Sequence, residues 1–111
     1  MEDFIYKILE GYNTYIDEWY KDSYADKTIV TINEIIWQDI EYADDDNTAV
    51  DHSYQFDIWG KDADEVKKIS KEVYKILKDN DFICTDGATL NEYEKGIYRK
   101  SLRFDYTEYI K

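Results

Sequence analysis

The chain holds two stretches that alternate apolar and polar residues with period two, and an amphipathic helical pattern stands between them. That order constrains the fold more than any other feature. From Asp51 to Gly60, an extended chain puts Tyr54, Phe56 and Ile58 on one side and Gln55, Asp57 and Trp59 on the other. In the second run, Tyr98, Leu102, Phe104 and Tyr106 share a side opposite Arg99, Ser101, Arg103 and Asp105. Between them Asp62 reads as a helix N-cap, with Glu65 as its capping-box partner. The helix then aligns Val66, Ile69, Val73, Ile76 and Leu77, and Lys67, Lys68, Lys71, Lys75 and Lys78 solvate the rest. The segment KDNDF ends it, with Asn80 as the expected left-handed residue.

The flanking segments extend this pattern. TIVTINEIIW, residues 28–37, is rich in β-branched side chains and reads as a strand that runs on irregularly into QDIEY. FICTDGATL reads as an irregular strand, joined to the long last one by a turn at Glu94-Lys95-Gly96. Residues 3–20 space Phe4, Ile5, Ile8, Leu9, Tyr12, Ile16 and Trp19 by threes and fours, which predicts a helix that Gly11 weakens. The expectation is one domain over residues 1–111, an α+β two-layer sandwich. Its mainly antiparallel four-stranded sheet would carry two helices on one face, in the order α-β-β-α-β-β.

Charge narrows the function. The formal net charge is −12, and phosphate contacts need Lys or Arg, so specific nucleic-acid binding is not expected. An anionic membrane surface is disfavoured for the same reason. One cysteine, Cys84, excludes an intrachain disulfide or a cysteine-cluster zinc site, and nothing basic adjoins it, so a buried, inert thiol is expected. The segment MEDFIYKILE lacks a basic stretch followed by an apolar one, and no apolar run approaches bilayer length. The chain therefore reads as soluble and intracellular.

Candidate sites divide into those that carry chemistry and those that carry contact. Asp39, Glu41, Asp44, Asp45, Asp46 and Asp51 are oxygen ligands in one segment, but the EF-hand spacing, its central Gly and its terminal Glu are missing. A solvated connection is the expectation, with no metal and no cofactor. His52, the sole histidine, has no nucleophile or second histidine at a recognisable spacing and reads as a surface or interface imidazole, so no enzyme is expected. Arg99 and Arg103 share the polar side of the last strand, suited to carboxylates within the sheet or on a neighbouring copy. Trp59, on the outward side of its strand, suits an interface or a cover from the first helix.

These residues carry a resemblance. TIVTINEI, EYADDDN, SYQFDIWGKD, Phe82 after the amphipathic helix, and YEKGIYRKSLRFDY together look like the small tail terminator proteins of tailed bacteriophages, also described as tail completion or tail-to-head joining proteins. They span roughly residues 28–106, and none of them carries chemistry. The resemblance implies a virion protein at the head-proximal end of the tail, assembled in the host bacterial cytoplasm. It would form a hexameric ring that caps the finished tail tube, and the sheath where the tail contracts. The ring stops polymerisation and offers a docking surface to the head, neck or connector. An acidic lining would let DNA pass without binding it. Asp44, Asp45, Asp46, Trp59, Arg99 and Arg103 then become candidate lumen or subunit-interface residues. Two alternatives fit the same composition: another small neck, head-closure or minor capsid component, and an acidic binding module such as a DNA mimic or an immunity-type protein.

Overall fold

A computed structural model of the chain describes residues 1–17, 27–41, 48–91 and 96–110. The elements are α1 (Glu2–Ile8), β1 (Asn13–Ile16), β2 (Ile29–Glu41), β3 (Thr48–Gly60), α2 (Ala63–Asp79), β4 (Ile83–Thr89) and β5 (Tyr98–Ile110). The strands form one sheet in the order β1-β2-β3-β5-β4. The expected four-stranded, mainly antiparallel sheet in α-β-β-α-β-β order is thus corrected to a five-stranded mixed sheet with an extra strand after α1. The class remains α+β.

The added strand explains the correction. Gly11 takes φ +98, a backbone region open to glycine, while the Tyr12 N–H bonds the Leu9 carbonyl. The helix therefore stops after two turns, and Asn13–Ile16 pairs in parallel with Ile29–Ile32. Tyr12 and Ile16 lie four residues apart, which puts them on one face of a helix and equally on one face of a strand. Both pack on the main core, and Tyr15 packs on the other side of the sheet.

β2, β3 and β5 form a long three-stranded blade. β2 pairs antiparallel with β3 from Ile29↔Trp59 to Glu41↔Thr48, with an irregularity between Glu34 and Ile36 that leaves Ile35 exposed. β3 pairs with β5 from Thr48↔Ile110 to Gly60↔Tyr98. β4 closes the far edge against β5 and is itself bulged between Cys84 and Asp86.

The main core lies on one face of this sheet. Ile5 and Leu9 around α1, Val66, Val73 and Leu77 of α2, and Val30, Ile32, Tyr54, Phe56, Ile58 and Phe104 of the strands form one buried cluster. Both helices therefore cover the same face, as expected. Phe56 meets Phe104 edge-on with ring centroids 5.8 Å apart, and Phe82 packs on Tyr106 at 4.6 Å.

α2 begins and ends for local reasons. The Asp62 carboxylate accepts from the N–H groups of Asp64 and Glu65, satisfying two orphan donors of the first turn. At the other end the left-handed residue is Asp81, at φ 69, one position beyond the expected Asn80. Asp81 N–H bonds Lys78 O and Phe82 N–H bonds Leu77 O, a double closure that swings Phe82 into the core.

A smaller cluster occupies the opposite face. Ile29, Trp59 and Ile97 are buried there with Tyr15 against them. Trp59 was expected on an outward side open to an interface or under the first helix. It is on that side, yet 2% exposed, and the helices lie on the other face. Cross-strand neighbours cover it instead.

Candidate functional site

The side chains around Trp59 form a buried polar ladder on the face away from the helices. Asp57, fully buried in mid-β3, accepts from Arg99 Nε at 3.0 Å and from Gln55 Nε2 at 2.9 Å. The Arg99 guanidinium lies over the Trp59 ring, 4.4 Å from its centroid. Trp59 Nε1 donates to Thr31 Oγ1 at 2.8 Å. Arg99, expected to pair within the sheet or on a neighbour, thus pairs within the sheet. Arg103 is different. It is exposed and borders a shallow cavity of about 120 Å³ with Gln55, Asp86 and Ser101.

His52 lies on the helix-side face of β3, at the end of the core. It was expected at a surface or interface, but it is buried. Nδ1 contacts a Glu34 carboxylate oxygen from β2, and Nε2 lies 3.1 Å from Glu108 Oε1 of β5. The Tyr54 hydroxyl lies 3.4 Å from Nδ1, and the two rings stack at 5.5 Å. Burial pushes the Tyr54 hydroxyl well above the ordinary tyrosine pKa, and the negative charges of Glu34, Glu108, Glu2 and Asp17 push it further. Sequence spacing gave no sign of this cluster, because register alone brings residues 34, 52 and 108 together.

The chemistry of this arrangement is a clamp. Imidazole nitrogens point in divergent directions, so the two glutamates grip opposite sides of the ring and do not converge on one point with it. Both contacts are hydrogen bonds at once only when the ring or a carboxyl carries the additional proton. Among the described residues no group of three His, Cys, Asp or Glu side chains is placed to hold a metal ion. Cys84, expected to be buried, is a half-buried free thiol on β4, separated from β3 by β5.

A second concavity lies between α2 and β5. Lys67, Ser70, Lys71 and Tyr74 of the helix and Lys100 and Leu102 of the strand enclose about 270 Å³. Beside it β4 is an open edge, where every residue except Cys84 is exposed and Ile83 is 68% exposed. Gly87 of β4 borders the other cavity, and a Cβ there would stand 3.4 Å from Leu102. In the sequence these lysines read only as solvation of a helix. The placement of Lys100 opposite them comes from the sheet.

Asp44, Asp45 and Asp46 lie outside the described residues, in the connection between the paired ends Glu41 and Thr48. Of the acidic residues flanking them, Asp39 and Glu41 pair with Val50 and Thr48 in the β2–β3 ladder, and the Asp51 carboxylate accepts from the Thr107 hydroxyl at 2.6 Å.

The chain matches no protein-family model, and no curated protein matches it. Among the described residues no helix is long and apolar enough to cross a membrane.

Proposed function

We propose that this protein is a non-enzymatic building block that assembles into a ring, closes the end of a phage tail tube and presents a surface for head or neck attachment. The observation that carries this reading is the uneven division of charge over an elongated molecule, 55 Å along its main axis. Residues 28–60, which form β2, β3 and their connection, contain eight acidic side chains and neither Lys nor Arg. The flank formed by α2 and β4 instead offers lysines, an apolar concavity and an open strand edge. Unlike surfaces suit head-to-tail contacts, which close into rings. The resemblance in residues 28–106 supports the placement at a tail, and the negative surface suits a passage for DNA.

Imaging particles made without this chain tests the reading. The expected result is tubes of uncontrolled length; tubes of normal length that fail to join heads would overturn it and favour a neck component.

A further inference from the structure

The lysine-rimmed groove between α2 and β5 stands out in a protein of net charge −12. Its floor is apolar, through Tyr74 and Leu102, and its rim carries Lys67, Lys71 and Lys100. Lys100 is held in place by Thr89, whose hydroxyl accepts from Nζ at 2.6 Å. Cations around an apolar floor suit an acidic peptide segment: the carboxylates meet the rim, and the chain between them covers the floor.

The chain supplies such a segment itself. We infer that this groove receives Asp44, Asp45 and Asp46 of a second copy, and that this contact joins successive subunits; the inference rests on the ring-forming reading above. A copy cannot fill its own groove. Leu102 pairs with Gly87 and Phe56, and Phe56 lies eight residues from Thr48 along β3. At about 3.3 Å per residue the connection departs roughly 26 Å from the groove, and the six intervening residues must also return to β3. The contact is therefore between molecules, one end of each meeting the other end of the next.

Charge complementarity decides the occupant. At physiological ionic strength the screening length is about 8 Å. Net repulsion between acidic subunits is then damped across a 55 Å molecule, while carboxylate–ammonium pairs in contact are screened much less.

The full chain is tested by analytical ultracentrifugation at about 0.15 M salt. The wild type is expected to self-associate, and Lys67→Glu with Lys71→Glu to weaken association at least about tenfold. Asp44→Lys, Asp45→Lys and Asp46→Lys together should weaken it similarly, and mixing the two variants should restore it. Circular dichroism confirms that each variant folds. A monomeric wild type, unchanged association of the lysine variant, or no recovery on mixing would overturn the inference. The variant and mixing outcomes test this contact alone, while tube length in particles made without the chain reads the tube-capping proposal separately.

Discussion

Removing Arg99 isolates what the ladder on the far face contributes. Arg99→Met keeps an unbranched stem but takes away the charge, the Nε donor and the cation over Trp59. Asp57 is fully buried, so its carboxylate would keep the Gln55 amide but lose the cation 3.0 Å away. Breaking a buried ion pair from one side costs about 3–5 kcal/mol, chiefly because the remaining charge cannot reach water. A domain of this size has about 5–15 kcal/mol of stability in total. Urea unfolding with a slope near 1.5 kcal/mol/M would therefore shift its midpoint by about 2 M or more. Asp57→Leu combined with Arg99→Met should recover most of the loss, since an apolar pair of similar volume leaves no buried charge. The coupling in the double-mutant cycle should reach about 2 kcal/mol. If Arg99→Met lies within about 0.5 kcal/mol of wild type, or the two changes simply add, the reasoning fails.

Three further outcomes test other parts of the fold. Tyr54 has a hydroxyl pKa raised above that of the unfolded chain, so the folded form retains a proton that the unfolded form loses. The associated stability is fully present below about pH 10 and declines above it, by about 1.4 kcal/mol per pH unit for this group. Tyr54→Phe should flatten that alkaline decline in chemical unfolding measured against pH; an unchanged slope would refute the assignment. Asp81→Gly relieves a left-handed residue at the end of α2 and should raise stability by about 0.5–1 kcal/mol, seen as a higher melting temperature. Gly60→Ala places a Cβ 2.8 Å from Thr28 Oγ1 and 3.0 Å from Val66 Cγ2, and should cost about 1–3 kcal/mol by thermal unfolding.

Much of the architecture follows from local pattern. The Asp62 cap and the stripe from Val66 to Leu77 define α2, because capping and 3.6-residue periodicity depend only on neighbours along the chain. The alternation of Tyr54, Phe56 and Ile58, and of Leu102, Phe104 and Tyr106, likewise defines two strands and the face that meets the helices. β1 was not legible, since the Tyr12–Ile16 spacing that runs into it satisfies both periods, and its partner strand lies a dozen residues downstream. Asp44, Asp45 and Asp46 remain a sequence feature, outside the described residues.

The amino-acid order by itself determined the segments with strong periodicity, the −12 charge and its uneven division along the chain, because each is a property of neighbours or of sums. Only the tertiary structure decided the rest. Strand register set His52 between Glu34 and Glu108, stacked Arg99 on Trp59 above a buried Asp57, and turned the lysines of α2 towards Lys100 across a groove. Alternation tells which residues share a side of a strand. What covers that side depends on pairings between residues tens of positions apart, and no local pattern encodes them.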